Sequence, residues 1–395
     1  DVDEVLVTVM RAPKSYTCED VVEISCHGGV VALKAILTLA IDSGARLAEP
    51  GEFTKRAFLN GRIDLAQAEA VLDIIQAKTE SFLRLSQNQL KGELSTELES
   101  IREGLLAVYT QIEAIVNFPE DETGAQSLKE IRTHVETAEK KVEALLATSG
   151  QGKIFKDGIK IVICGKPNVG KSSLLNALLK QPRAIVSDIP GTTRDTIEEA
   201  AQVRGIPVQL VDTAGILEPR DLIEKEAVQR SRMSMASADL ILYILDAQEG
   251  LTEDDEELIK NIQGRNAVIV VNKCDLPNKC DEAQLKKNFK TQKIVKISVL
   301  QKAGFESLEE AIAESVWHSD GQAHNILISN TRHIASLKSC LDDLQAASRV
   351  LNDKLSPEFL SEEIKSAVNA LDNITGRDID NDLLDKIFST FCIGK

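Results

Sequence analysis

The middle of the chain alternates short apolar runs with segments of helical periodicity. The runs lie at residues 159–164, 208–211, 267–271 and 294–297. Each is too short for a typical helix and is rich in Ile, Val or Leu, so each predicts a buried β-strand. Helical segments such as residues 173–179 separate the runs. This alternation predicts an α/β domain with a mostly parallel sheet, covering residues 153–320.

Helical periodicity dominates on both sides of this α/β domain. The predicted helices cover residues 65–75, 83–116 and 128–148 before it, and residues 331–352, 356–375 and 380–390 after it. A connector containing Gly150 and Gly152 is expected just before the α/β domain. The two halves, 61–152 and 321–395, can pack into one all-α domain that is discontinuous in sequence.

Residues 1–60 mix strand and helix signals. Strands are predicted at residues 5–10 and 21–24, and a helix is predicted at residues 30–43. We therefore predict a small α+β domain ahead of the helical one. The chain begins inside a predicted strand and without Met, so we expect natural sequence to precede Asp1 and this domain to be partial.

Composition narrows the possible classes of function. Apolar residues make up 43% of the chain and aromatic residues only 4%, which indicates aliphatic cores. The net charge of −16 argues against a surface that binds nucleic acid throughout, although a local basic patch or a basic partner is compatible with it. The 7 cysteines are scattered without a Cys-x-x-Cys pair, as in reducing compartments. With neither a signal peptide nor a membrane-spanning run, we expect a cytoplasmic protein without a membrane partner.

A phosphate-binding P-loop follows the first apolar run of the α/β domain. Residues 165–173 read Gly-Lys-Pro-Asn-Val-Gly-Lys-Ser-Ser, with the required spacing between Gly165 and Gly170. A strand before the loop and a helix after it are the context that this motif needs. Backbone N–H groups would surround phosphate oxygens, Lys171 would reach the outer phosphates and Ser172 would bind Mg²⁺. A glycine turn that binds nothing is the weaker alternative.

Further motifs follow in the order found in GTPases. Asp212-Thr213-Ala214-Gly215 closes the second apolar run, where the Asp can hold Mg²⁺ through water and the Gly N–H can sense a γ-phosphate. Asn272-Lys273-Cys274-Asp275 closes the third run, and its last carboxylate can accept two hydrogen bonds that guanine supplies and adenine does not. Ser298-Val299-Leu300 follows the fourth run and could meet the guanine oxygen. Thr193, in the loop after the P-loop helix, is the expected second hydroxyl on Mg²⁺. Open α/β sheets bind ligands at the carboxyl ends of their strands, where three of these motifs lie.

One position departs from the common GTPase pattern. Ile216 follows the Asp-Thr-Ala-Gly motif, where many GTPases place a water-orienting Gln. Isoleucine has no polar side-chain atom, so either hydrolysis is slow or another group positions the water. The acidic residues of segment 218–226 offer candidates, but such charge is usually a solvated helix start. The residues alone leave both interpretations open.

Two residues near the chain ends also have alternative interpretations. Cys392 could be a reactive thiol beside Lys395 or a buried apolar residue ending a helix, and the local pattern favours burial. His27, which precedes two glycines, could be catalytic, but a hydrogen-bonded structural role is favoured.

Together these segments resemble the tRNA modification GTPase family called MnmE or TrmE. The resemblance rests on Tyr16-Thr17-Cys18-Glu19-Asp20, His27-Gly28-Gly29, Pro50-Gly51-Glu52-Phe53, Arg56-Ala57-Phe58-Leu59-Asn60, Asp64-Leu65-Ala66-Gln67-Ala68-Glu69-Ala70, the GTPase motifs and Cys392-Ile393-Gly394-Lys395. It covers essentially the whole chain, and the family's opening segment lies ahead of Asp1. It implies a Ras-like P-loop GTPase domain inserted in a discontinuous helical domain and preceded by an α+β tetrahydrofolate-binding-like domain.

The resemblance also implies a function. Members of this family form homodimers, hydrolyse GTP and act with a flavin-dependent partner, GidA or MnmG, in a heterotetramer. Together they install a carboxymethylaminomethyl or aminomethyl group at C5 of the wobble uridine of tRNA, using a one-carbon unit from 5-formyl- or 5,10-methylene-tetrahydrofolate. By motif match, Glu23, Arg62 and Lys395 would line the folate pocket, and Cys392 would be required for the tRNA reaction.

The same resemblance assigns roles within the G domain. Glu224 would be the catalytic group that orients the attacking water in place of the absent Gln. Mg²⁺ would be bound by Ser172 and Thr193, and K⁺ by Asn168, Ser187, Ile189 and Thr192, where two G domains pair. The complete expected GTP-binding set is Asn168, Val169, Gly170, Lys171, Ser172, Ser173, Ser187, Asp188, Ile189, Pro190, Gly191, Thr192, Thr193, Asp212, Thr213, Ala214, Gly215, Asn272, Lys273, Asp275, Ser298, Val299 and Leu300.

Two classes of function are compatible with these motifs. One is an enzyme that modifies tRNA, and the other is a GTPase switch in ribosome assembly, where hydrolysis only resets binding. The sequence leaves open which tRNAs are chosen, which folate and amine are used, what chemistry Cys392 performs and how far the G domains move.

Overall fold

The structure, a computed structural model, describes residues 1–117, 124–179, 199–212, 236–252, 255, 259, 262–277, 279–280, 282–316, 326–353 and 355–394. The strands are β1 Leu6–Met10, β2 Val21–Ser25, β3 Ile159–Gly165, β4 Glu199–Val203, β5 Ile206–Asp212, β6 Leu240–Asp246, β7 Ala267–Asn272 and β8 Lys293–Lys296. The helices are α1 Val30–Asp42, α2 Glu52–Leu59, α3 Leu65–Gln76, α4 Glu80–Leu90, α5 Glu93–Asn117, α6 Gly124–Ala147, α7 Ser149–Asp157, α8 Lys171–Leu179, α9 Glu282–Asn288, α10 Phe305–Val316, α11 Thr331–Asn352, α12 Pro357–Thr375 and α13 Asn381–Phe388.

The chain divides into two compact units. The helical unit comprises Asp1–Gln76, Arg84–Thr148 and Asn330–Lys395, and the sheet unit comprises Ala77–Leu83 and Ser149–Ser329. Each unit has its own apolar core, so each can be described by itself.

The sheet unit is built on a six-stranded sheet with the order β4-β5-β3-β6-β7-β8. The strands run parallel except for β4, which pairs antiparallel with β5. Because successive side chains of a strand point to opposite faces, Ile161 and Ile163 join one core and Val162 and Cys164 the other. Every residue of β6 and β7 is buried, as expected for parallel strands covered on both faces. The carboxyl ends of these strands therefore meet at one edge of the sheet.

In the helical unit, four long helices pack as a bundle. Helix α5 packs against α6 and α12, and α11 packs against α6 and α12. The apolar stripe of α5 shows the helical spacing directly, since Leu94, Leu98, Ile101, Leu105, Val108 and Ile112 are all buried. The bundle thus joins helices that precede the six-stranded sheet in the sequence with helices that follow it, around one aliphatic core.

Two helix predictions differ from the structure. The single helix predicted over 83–116 is wrong, because the chain breaks between α4 and α5 at Gly92, whose φ is +89°. The connector predicted around Gly150 is wrong as well, because these residues form α7. A side-chain carbon at Gly152 would lie 2.3 Å from the Ile328 carbonyl oxygen, so packing rather than a turn requires this glycine.

At the N-terminal end, β1 and β2 form an antiparallel hairpin that pairs Leu6 with Ser25 and Met10 with Val21. Helix α1 is apolar on most sides, a composition that ordinarily indicates burial, yet none of its residues is buried. Exposed apolar side chains therefore concentrate on this part of the helical unit, with Val31 83% exposed.

The C-terminal end folds back onto helices α2 and α3. Phe388 and Phe391 join a small apolar cluster with Leu65 and Ala68. Gly51, with a φ of +69°, lies so close to the end of α13 that an added Cβ would be 2.8 Å from the Phe388 carbonyl oxygen. This packing holds the last residues of the chain beside the start of α2.

Candidate functional site

The P-loop joins β3 to α8 at the carboxyl edge of the sheet. Its backbone takes left-handed angles at Asn168, with φ of +63°, and at Gly165 and Gly170. A Cβ at Gly165 would lie 2.4 Å from the Ile244 carbonyl oxygen, and one at Gly170 would lie 2.3 Å from the Asn272 side-chain nitrogen. Neighbouring strands therefore leave no space for side chains at the two glycines, as the motif requires.

Lys171 is buried at the first turn of α8. Its Nζ donates hydrogen bonds to the carbonyl oxygens of Gly165 at 2.9 Å and Lys166 at 2.5 Å. Ser172 and Ser173, the next residues of the helix, are exposed. A buried ammonium at a helix N-terminus, next to exposed hydroxyls, is an arrangement suited to bind phosphate.

The loop after β7 is bound directly to the P-loop. Asn272 is buried and donates through Nδ2 to the Val169 carbonyl at 2.8 Å, while its Oδ1 accepts from Val299 N–H at 3.2 Å. The Lys273 Nζ donates to the Asn168 carbonyl at 3.0 Å. The structure therefore brings together the predicted phosphate-binding and base-binding motifs.

Asp275 and the 298–300 turn lie beside each other. The Ser298 hydroxyl donates to Asp275 Oδ1 at 2.6 Å, and Ser298 N–H donates to the Ala303 carbonyl at 3.0 Å. Leu300, by contrast, is 87% exposed. The Asp275 carboxylate is thus held in place by a second predicted motif.

Asp246 contributes to this site and was not predicted from the sequence. It ends β6, is buried, and accepts from Lys273 Nζ at 2.6 Å and from Gln248 N–H at 2.9 Å. A charged residue closing an apolar strand, next in the sheet to the strand that ends at Asn272, is the signal that could have identified it.

Several predicted site residues lie outside the described residues. They are Ser187, Asp188, Ile189, Pro190, Gly191, Thr192, Thr193, Thr213, Ala214, Gly215, Ile216, Glu224 and Lys395. Asp212 ends β5, in register with Ile163 of β3, and so reaches the same edge as the P-loop. Among the described residues, no group of three or more His, Cys, Asp and Glu side chains is arranged to hold a metal.

Two of the predicted folate residues, Glu23 and Arg62, lie in the helical unit. Glu23 is in β2, opposite Thr8, whereas Arg62 follows α2 and donates to the Ser15 carbonyl at 2.5 Å. The Arg62 guanidinium also lies 5.6 Å from the centroid of the Tyr16 ring, within cation–π range. Arg62 is therefore held by the segment between β1 and β2. The second of these strands, β2, carries Glu23.

The structure contradicts one interpretation of Cys392 and gives His27 a hydrogen-bond partner. Cys392 is exposed, so the interpretation as a buried residue is wrong. Its carbonyl accepts from Gly51 N–H at 3.2 Å, and Ile393 forms a β-bridge with Pro50. The His27 ring Nδ1 lies 2.8 Å from Asp3 Oδ1, so this ring is hydrogen-bonded.

The described helices include none that is long and apolar enough to cross a membrane. All 7 cysteines of the chain lie among the described residues, and none of them forms a disulfide.

Comparison with known proteins gives matches over nearly the whole chain. The profile of the MnmE helical domain matches residues 65–392, and that of the GTP-binding protein TrmE N-terminus matches residues 1–62. The tRNA modification GTPase MnmE of Alkaliphilus oremlandii is 45% identical over 395 residues, which is 100% of this chain and 86% of that protein. The protein of the same name from Desulforamulus reducens is also 45% identical, with the same coverage.

Two solved structures match part of this chain. A variant of Aquifex aeolicus Era bound to GDP·AlF4⁻ is 30% identical and covers 48% of this chain and 67% of its own, with a TM-score of 0.33. The FeoB G domain of Methanococcus jannaschii is 27% identical and covers 40% of this chain and 97% of its own, with a TM-score of 0.30.

Proposed function

This chain belongs to the MnmE family of tRNA modification GTPases, and on that basis we propose the chemistry that its sites perform. As a member it is a GTP-hydrolysing enzyme of tRNA modification. We propose that hydrolysis drives installation of a carboxymethylaminomethyl or aminomethyl group at C5 of the wobble uridine. The observation that carries the GTPase part of this proposal is that the Asn272–Asp275 motif is hydrogen-bonded to the P-loop, and the tRNA part rests on membership of the family.

Guanine recognition would rest on Asp275. Its Oδ1 accepts from Ser298, and the carboxylate retains lone pairs that can accept from the N1–H and amino group of guanine. Adenine presents no matching pair of donors, so it would leave a partly buried carboxylate without partners. Selectivity would therefore come from a single side chain already held in place by a neighbouring turn.

For hydrolysis, Lys171 would transfer hydrogen bonds from loop carbonyls to phosphate oxygens, where it offsets developing negative charge. The exposed hydroxyl of Ser172, with Thr193, fits the oxygen donors that Mg²⁺ prefers. Asn168, an exposed residue of the same loop, would offer K⁺ its neutral side-chain oxygen, with Ser187, Ile189 and Thr192. A bound cation supplies charge neutralisation between the phosphates. We assign Glu224 the orientation of the attacking water.

The helical unit would carry the tRNA chemistry. We propose that Glu23, Arg62 and Lys395 hold a tetrahydrofolate, that Cys392 acts on the uridine, and that a flavin-dependent partner of the GidA type completes a heterotetramer on a homodimer of this chain. Exposure of Cys392 beside Pro50 and Gly51 supports a functional thiol. Free cysteines throughout the chain fit a reducing, cytoplasmic setting.

The deciding experiment is analysis of wobble uridine in tRNA from cells that lack this protein, complemented with the wild type or with Asp275→Asn. Loss of the modified uridine without the wild-type gene is expected. The variant should lose GTP affinity and bind xanthosine triphosphate. The Asp275 carboxylate accepts from the amino group of guanine, whereas an Asn amide at this position can donate to the oxygen that xanthine has in its place. Unchanged uridine modification in the deleted strain would overturn the proposed chemistry.

A further inference from the structure

A buried ion pair connects the P-loop to the segment that follows β6. The Lys166 Nζ lies 2.7 Å from Asp255 Oδ2, and it also donates to the Thr252 hydroxyl. Tyr243, within β6, donates its phenolic O–H to Asp255 Oδ1 at 2.6 Å. Thr252 N–H donates to Oδ2 at 2.9 Å. Both carboxylate oxygens of Asp255 thus accept hydrogen bonds from protein donors.

The cluster is enclosed by protein. Asp255 is 1% exposed, Tyr243 is fully buried, and the Lys166 side chain is 15% exposed. A buried carboxylate is tolerated only when donors and a cation surround it, which is the case here. Burial opposes ionisation of Asp255, but Lys166, Tyr243 and Thr252 outweigh it and hold its pKa below the ordinary value.

Lys166 is itself part of the phosphate-binding loop. It directly follows Gly165, and its carbonyl oxygen accepts from the Lys171 ammonium at 2.5 Å. The Lys166 side chain therefore fixes one end of the loop to Asp255, while the Lys166 main chain contacts Lys171, the lysine that would bind phosphate. Asn168 lies in the same loop, and its carbonyl oxygen accepts a hydrogen bond from Lys273.

We propose that Lys166 is a positioning residue for nucleotide binding, which through Asp255 holds the P-loop in the shape that receives phosphates. A loop fixed before the ligand arrives loses little conformational freedom on binding, so its hydrogen bonds convert into affinity. A loop released from Asp255 must be ordered by the nucleotide at the expense of affinity.

A direct role as a phosphate ligand is the competing possibility for a lysine in this loop, and Asp255→Asn separates the two. If Lys166 were a phosphate ligand, removing the Asp255 charge would free the ammonium, and guanine nucleotides would bind as tightly or more tightly. If Lys166 is instead a positioning residue, Asp255→Asn removes its ion-pair partner and releases the loop. The Kd for GDP and the Kd for GTP should then both rise by about tenfold or more. Binding of a fluorescent methylanthraniloyl-GDP and competition by unlabelled GTP measure both values.

Variants of Lys166 provide the second arm. Lys166→Met keeps most of the apolar part of the side chain without the charge and should raise the Kd for both nucleotides by about tenfold or more. Lys166→Arg retains a cation and should recover most of the affinity. Lys293→Met is the matched control, since Lys293 also pairs with a carboxylate of the sheet unit, Glu314, but on an exposed surface of β8. That control should leave nucleotide affinity within about twofold of wild type, as surface ion pairs contribute little.

Stability is measured in parallel so that a general loss of fold is not mistaken for a positioning effect. If Lys166→Met does not fold, Tyr243→Phe removes one donor to Asp255 and keeps the ring, and should weaken both nucleotides by a smaller factor. A double-mutant cycle between Lys166→Met and Asp255→Asn should show strong coupling in nucleotide binding. The proposal is overturned if nucleotide Kd values are unchanged in these variants, if Asp255→Asn tightens binding, or if the two substitutions act additively.

Discussion

The side-chain amide of Asn272 donates to the main-chain carbonyl of Val169 at 2.8 Å, so the loop that would read the base also supports the loop that would bind the phosphates. Both groups are buried, and the other side of the same amide accepts from Val299 N–H. One side chain thus links three segments that are far apart in the sequence.

Replacing this amide should weaken both GDP and GTP. Asn272→Ala leaves the Val169 carbonyl and the Val299 N–H without their partner, at a cost of about 1–3 kcal/mol. Nucleotide Kd values from fluorescence titration should rise by about tenfold or more. Asn266→Ala is the control, because the Asn266 amide also bonds two main-chain groups, the carbonyls of Asp239 and Ser315, but precedes β7. Equal losses of affinity in the two variants would contradict the link to the P-loop.

Gly51 should be required for the packing of the C-terminal end. Gly51→Ala combines left-handed strain with a Cβ placed 2.8 Å from the Phe388 carbonyl oxygen. Gly61→Ala carries the same strain, at a φ of +72°, but its Cβ meets nothing within 4 Å. Left-handed strain alone costs about 1 kcal/mol. Urea unfolding should therefore show a larger loss in the free energy of unfolding for Gly51→Ala than for Gly61→Ala. Its displaced terminus should also change the rate at which Cys392 reacts with a thiol reagent, and identical behaviour of the two variants would refute this account.

Glu69 should make stability depend on pH. Burial disfavours its charge, but His333 and Arg332 outweigh burial and lower its pKa from 4.5 to about 2. Because the folded-state pKa is depressed, the contribution to the free energy of unfolding is fully present above pH 4.5 and is lost as pH falls toward about 2. The shift corresponds to about 3 kcal/mol at neutral pH.

Urea unfolding of Glu69→Gln across pH tests this contribution. The variant should be less stable than wild type at pH 7, and the difference should shrink in acid. Glu130→Gln, on an exposed position of α6, should match wild type at every pH. A Glu69→Gln deficit that persists unchanged at low pH would argue against the ion pair as its cause.

Glu224→Ala should bind GTP normally but hydrolyse it at least about 100-fold more slowly, since a group that orients water contributes that much or more. Single-turnover phosphate release measures hydrolysis, and nucleotide titration measures binding. Glu226→Ala, a neighbour in the same acidic stretch, serves as the control. Turnover at the wild-type rate in Glu224→Ala would remove Glu224 from its proposed role.

Cys392→Ser should separate hydrolysis from tRNA chemistry. Cys392 is in the helical unit and the P-loop is in the sheet unit, so GTP turnover should stay near wild type while wobble-uridine modification is lost. Cys340→Ser, at a buried position in α11, tests whether loss of any thiol has the same effect. If Cys392→Ser restores modified uridine in a deletion strain, the thiol has no part in the reaction.

The local geometry of the P-loop edge could be predicted from the sequence because each motif consists of contiguous residues. The span from Gly165 to Ser173 and the Asn272–Asp275 motif each contain their own turn, donors and acceptors, and the apolar runs before them could only be buried strands. Helix ends were less predictable. Gly92 terminates a helix through its positive φ, whereas Gly152 lies within one because a neighbouring carbonyl leaves no space.

What only the tertiary structure decided is which charged and reactive side chains are enclosed. Asp255 stands in an acidic run typical of an exposed helix, yet it is buried because Lys166 and Tyr243 converge on it. Glu69 becomes a buried anion only where α11 brings Arg332 and His333 to α3, and Cys392 stays exposed because Gly51 holds its backbone. Burial depends on partners from distant parts of the chain, and no pattern within a single segment of sequence specifies them.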